Sequence, residues 1–229
     1  MDLNTNIEIE EVKRLTIMEK LKYFFTNPNK LFEDYNIKPT WFLKTLVIVI
    51  VTVIATLITA KLTIGPTIDR MIQQSPDIPK EQLDATMAIM NSPLIIGFAV
   101  VMALVVAIAA IFLGSLIYYG LISLFGGKTK YMKVVAVYSL AYLPYTIGSI
   151  ISLAFAYYTN NFDSLLQPKL MDVFFTRLDI FVIWQVLLLV FGFTKISNLK
   201  LSKSIIIVAI MWTLATLMAL VPTFMNKLV

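Results

Sequence analysis

The chain contains no histidine and no cysteine. Those two absences together remove zinc sites built on imidazole or thiolate, cysteine nucleophiles, serine–histidine dyads and disulfides. They also leave no trace of the redox state of the compartment. Charge is scarce too, since Asp, Glu, Lys and Arg make up 14% of the 229 residues, against about 25% in an average soluble domain. No carboxylate falls inside any long apolar run, so the paired acids of an aspartyl intramembrane protease are missing. Asp179 is the one acid near the end of a run that could face a core. The segment Gly126-Gly127-Lys128-Thr129 lacks the upstream glycine of a phosphate loop and follows an apolar helix pattern instead of a strand. With these chemistries excluded, the sequence reads as a non-catalytic protein with no catalytic residue, no metal and no cofactor.

What the chain does have is hydrophobic length, with a mean hydropathy of +0.82. Apolar runs cover roughly 41–63, 94–125, 132–158, 180–194 and 204–224, the fourth extended to 179–196 because terminal polar side chains can snorkel. Most reach the ~20 residues a helix needs to cross ~30 Å of hydrocarbon, where every backbone polar group must be paired internally. The expected fold is therefore an all-α integral membrane protein with five transmembrane helices. A polar N-terminal region (1–40) precedes the transmembrane domain (41–224), and a short tail (225–229) follows it. The long second run reads as one tilted helix, because its interior offers neither a proline nor a polar cluster on which to turn.

Lysine and arginine set the orientation. Thirteen fall on one side of such a bundle: seven from Lys13 to Lys44, then Lys128, Lys130 and Lys133, then Lys195, Lys200 and Lys203. Six fall on the other. The positive-inside rule puts the N-terminus in the cytoplasm and the C-terminus outside. The net charge of +5 then follows from topology and from attraction to anionic lipid, and nucleic acid is not an expected partner.

The first forty residues do not read as a signal peptide, being polar and lacking an apolar core with a cleavage site. Thr16-Ile17-Met18-Glu19 matches a capping box, with Ile17, Leu21, Phe24 and Phe25 at helical spacing, which predicts an amphipathic helix on the inner leaflet. Asn27-Pro28 reads as a cap and first-turn proline ahead of a second short apolar face, Leu31, Phe32 and Tyr35, and Trp41 anchors the first span. On the outer side Pro66, Pro79 and Pro168 are each expected to begin an interfacial helix.

Inside the spans, small and polar residues form stripes. Ala103, Ala107, Ala110 and Gly114 make a close-packing face on the second span. Tyr138, Tyr142, Tyr145, Ser149 and Ser152 line one side of the third, and Gln185 sits in the fourth. Tyr142 and Tyr145 are expected to face Gln185, and Pro144 to bend the third helix. The stripe reads as interhelical hydrogen bonding, with a polar groove for a guest molecule as the alternative.

Several short motifs in order carry a family resemblance: Phe24-Phe25-Thr26-Asn27-Pro28 before Trp41, then Gly126-Gly127-Lys128 followed by Tyr138-Ser139-Leu140-Ala141-Tyr142-Leu143-Pro144, then Ile183-Trp184, then Lys200-Leu201-Ser202-Lys203-Ser204. Over roughly 24–220 the chain resembles the Yip family of five-span membrane proteins, in its bacterial branch. The resemblance implies a cytoplasmic N-terminus and a place in the bacterial cell membrane. It further implies a role as an accessory of a membrane transport complex such as an ABC-type exporter, in toxic peptide export or resistance. A small transporter with its own polar pathway and a membrane-trafficking or membrane-shaping factor are the alternatives, and assembly into a homo-oligomer is left open.

The orientation makes a direct prediction. The loops at 126–133 and 195–203 are cytoplasmic, and the segments at 65–91 and 159–177 are not. In intact cells an impermeant thiol reagent will label a cysteine placed at Gln82 and spare one placed at Thr129. The reverse pattern would overturn the topology.

Overall fold

The computed structural model describes residues 15–162 and 169–225. Lys13, Arg14, Pro168 and the tail from 226 onward lie outside them. Among the described residues the chain is helical: α1 (Ile17–Thr26), α2 (Pro28–Ile37), α3 (Phe42–Gln74), α4 (Lys80–Met90), α5 (Pro93–Leu124), α6 (Tyr131–Thr159), α7 (Leu170–Arg177), α8 (Ile180–Ser197) and α9 (Leu201–Met225). Five of them, α3, α5, α6, α8 and α9, are long and apolar enough to cross a membrane.

Local chemistry sets the helix ends. Both halves of the capping box at α1 form, with Glu19 N donating to Thr16 Oγ1 at 3.3 Å and Thr16 N to Glu19 Oε2 at 2.8 Å. Asn27 accepts from Lys30 N at 3.3 Å at the head of α2, where Pro28 occupies the first turn. Ser92 and Pro93 do the same for α5, with Ile95 N donating to Ser92 Oγ at 3.3 Å. Asp179, the acid that could have faced a core, instead caps α8 by accepting from Phe181 N at 2.7 Å. Asn160 and Asn198 close α6 and α8 in the left-handed conformation, which asparagine tolerates.

Pro66 does not begin a helix. It lies inside α3, which runs on to Gln74, and Thr67 Oγ1 donates to Thr63 O at 2.6 Å beside it. The carbonyl that Pro66 leaves without its backbone donor is that of Leu62, and the loss of one bond does not end a helix of 33 residues. Pro79 does precede a helix, standing just before α4.

The bundle is organised around α6 and α8. These two are the most buried of the five long helices, while α3 and α5 present most of their surface outward. Glycine lets the pair approach closely. A Cβ at Gly192 of α8 would collide with Val137 Cγ1 of α6, and one at Gly148 of α6 would lie 2.8 Å from Phe181 Cδ2 of α8. The same notch at Gly192 admits α2, since an added Cβ there would also stand 3.1 Å from Phe32 Cε1. Leu31, Phe32 and Tyr35 of α2 are 1%, 0% and 2% exposed and share one core cluster with Val137, Leu188 and Phe193. The short apolar face of α2 is thus part of the core.

Polar groups at the lysine-rich end tie α2 down. Asn36 Nδ2 donates to Lys195 O at 2.9 Å, Lys133 Nζ donates to Asn36 Oδ1 at 3.1 Å, and Lys195 pairs with Glu33 at 2.8 Å. Burial pushes the Tyr35 phenol above its ordinary range, so it remains protonated while its oxygen accepts from Lys44 Nζ at 2.8 Å. The two lysine loops also meet, with Lys128 N donating to Ser197 O at 3.1 Å and Lys203 Nζ to Phe125 O at 2.7 Å.

Gly192→Ala is expected to lower unfolding free energy in detergent by about 1–3 kcal/mol, the usual cost of overpacking. Gly97→Ala, where an added Cβ meets nothing within 4 Å, is expected to be neutral or to stabilise by up to ~1 kcal/mol. Thermal unfolding of both variants checks this.

Candidate functional site

The tyrosines of α6 form a ladder that leads out of the core. Phe193 and Tyr118 stand at its inner end with ring centroids 4.8 Å apart, followed by Tyr118–Tyr138 at 5.6 Å, Tyr138–Tyr142 at 5.8 Å and Tyr142–Tyr145 at 5.1 Å. The helical offsets of three and four residues place successive rings on one face of α6. The small-residue face of α5 makes room for it: a Cβ at Gly114 would lie 2.8 Å from Tyr138 Oη. Ala107 is buried, and Ala103 and Ala110 are half-buried. Helix α6 continues through Pro144, which is buried.

The outer end of the ladder opens into a cleft of about 530 Å³ between α3 and α6. Thr52, Ala55, Thr56, Thr59 and Ala60 line it from α3, and Tyr142, Tyr145, Thr146 and Ser149 from α6. Three of the predicted residues, Tyr142, Tyr145 and Ser149, therefore come together, but against α3. Ser152 is exposed and outside the lining. Gln185 is half-buried on α8 and does not line the cleft, and among the described residues no hydrogen bond joins it to Tyr142 or Tyr145. The reason lies in how the faces of α6 are shared: Val137 and Gly148 take α8, Tyr138 meets α5, and the Tyr142 side is left for α3.

Hydrogen bonding decides what the cleft offers. Its hydroxyls are largely turned back on their own helices: Thr52 to Ile48 O at 2.8 Å, Thr56 to Thr52 O at 2.8 Å, Thr146 to Tyr142 O at 3.0 Å and Ser149 to Thr146 O at 2.8 Å. What faces the cleft is therefore rich in methyl groups. Among the described residues no hydrogen bond is made by the phenol oxygen of Tyr142 or Tyr145, so two O–H donors remain for whatever enters. Among the described residues no charged side chain lines the cleft and no cluster of acids could hold a metal ion. Such a surface can bind an apolar body carrying a hydrogen-bond acceptor.

The α3 half of this site went unread in the sequence, although a signal exists. Thr52, Ala55, Thr56, Thr59, Ala60 and Thr63 recur at spacings of three and four, the same kind of small-residue face that stands out on α5.

A helical bundle with five membrane-length helices defines a multi-pass membrane protein. The chain matches the Yip1 domain over residues 22–221, and the protein belongs to the Yip family. No curated protein and no solved structure matches it.

Proposed function

We propose that this Yip-family protein is a non-catalytic accessory of a membrane transport complex, of which an ABC-type exporter in the bacterial cell membrane is the leading candidate. It would receive a transmembrane helix of that complex along its α3–α6 cleft. The lysine-rich end then faces the cytoplasm, in keeping with the charge count. The observation that carries this reading is the cleft itself. It is lateral, lined by Ala and Thr that permit close backbone approach, and furnished with two phenol donors that find no acceptor among the described residues. A helix with a free carbonyl or a hydroxyl acceptor on a flat, small-residue face has the complementary chemistry. The absence of charge from the lining favours this reading over a carrier with its own pathway, where ionisable residues commonly mark the route.

The test is site-specific photocross-linking in cells of the source strain. A benzophenone amino acid at Thr56, inside the cleft, is expected to give an adduct containing a transporter permease subunit. The same group at Ile151, an exposed position on α6 outside the cleft lining, is expected to give none. Adducts with lipid alone at both positions would contradict helix docking in the cleft.

A further inference from the structure

The N-terminal hairpin reaches farther into the bundle than its polar composition suggests. α1 and α2 run antiparallel: Lys20 Nζ meets the buried Asp34 carboxylate at 2.7 Å, and Lys30 Nζ lies 5.4 Å from the centre of the Tyr23 ring. The turn at Asn27 is therefore the tip. α2 in turn follows α8. Its far end is bonded to Lys195 through Asn36 and Glu33, Phe32 fills the notch at Gly192, and Phe24, just before the tip, packs edge-on against Trp184 at 6.2 Å.

Trp184 and Lys195 are eleven residues apart on α8, about 16 Å at ~1.5 Å per residue. The whole of α8 is 18 residues long, about 27 Å, just short of the ~30 Å of hydrocarbon. A hairpin that is anchored at Lys195 and touches Trp184 has its tip well inside the bilayer. The opposite face of α1 is apolar and open: Ile17 is 86% exposed, Met18 76%, Leu21 59% and Phe25 65%. On α8 the residues flanking Trp184, Ile183 and Leu187, are 46% and 40% exposed, so the outward apolar surface continues from α8 at the depth of Trp184.

We propose that α1 is a re-entrant helix standing in the leaflet at the lysine-rich end, with Ile17, Met18, Leu21 and Phe25 in contact with lipid acyl chains. At this depth the exposed Lys22 and, nearer the tip, the exposed Lys30 must extend their stems toward the headgroups. An amphipathic helix lying in the plane of the surface would keep every residue of its apolar stripe at one depth. A standing helix grades them. The inference is independent of which complex the protein serves.

Met18 and Phe25 sit seven residues apart on one stripe, and both are exposed, so labels there leave the packing of α1 on α2 intact. Single cysteines at these positions in the full chain, which has none of its own, are spin-labelled and reconstituted in phosphatidylethanolamine–phosphatidylglycerol vesicles. Collision with oxygen and with a water-soluble nickel chelate gives the depth of each label. The label at 25 is expected to lie roughly 10 Å deeper than the label at 18, with both mobile. Equal depths, or ready access of the nickel chelate to position 25, would overturn the proposal. Immobilised labels with spin–spin broadening would overturn it as well, by placing a second copy of the chain on this face.

Discussion

The close approach of α6 and α8 is the contact on which the rest of the bundle depends. It is built from two reciprocal notches, Gly192 on α8 receiving Val137 and Gly148 on α6 receiving Phe181, about three turns apart on an antiparallel pair. In lipid there is little hydrophobic gain from burying one apolar helix against another, so association rests on dispersion at short range, and short range requires small residues at the contact. The notch at Gly192 also decides where the N-terminal region goes. Phe32 enters beside Val137, bringing Leu31 and Tyr35 of α2 with it into the same core.

Once α8 and α2 occupy one side of α6, the remaining faces are assigned by elimination. Gly114 admits the Tyr138 ring on the α5 side, and the Tyr142–Ser149 edge is left toward α3. α3 packs closely near its head, where Ile48 meets Ile111 and Val135. Farther along, from Thr52 to Ala60, side chains too small to fill the gap leave the lateral cleft. The candidate site is thus a consequence of packing: a ladder of large rings meets a face of methyl groups, and the phenol hydroxyls are stranded between them.

Much of the architecture was legible in the sequence because length and hydropathy act on each helix separately. The five membrane-length helices, the capping box at Thr16 and the Asn27-Pro28 start of α2 all follow from local pattern. Pro66 reads as a helix start in the sequence, yet a proline interrupts a single backbone bond, and α3 runs through it as one helix. The burial of α2 was not legible, since three apolar side chains among polar neighbours look the same whether they lie on lipid or enter a core. Gly192 and Gly148 carried that information, as glycines inside apolar helices. So did the Thr and Ala of α3. The pairing of Tyr142 with Gln185 failed as an expectation because two polar residues at similar depth need not share a face, and only the packing of three helices around α6 settles which neighbour each one meets.

The central claim is that the N-terminal hairpin is a structural member of the bundle, locked along α8. Cross-linking tests it most directly, because Glu33 and Lys195 pair at 2.8 Å while both remain accessible. In a Glu33→Cys, Lys195→Cys double variant of this otherwise cysteine-free chain, a short thiol-to-thiol reagent should give a near-complete intrachain cross-link in native membranes. A Glu33→Cys, Asp84→Cys control, with its second thiol on α4, should give none. Failure of the first pair to cross-link while both cysteines remain singly reactive would contradict the account.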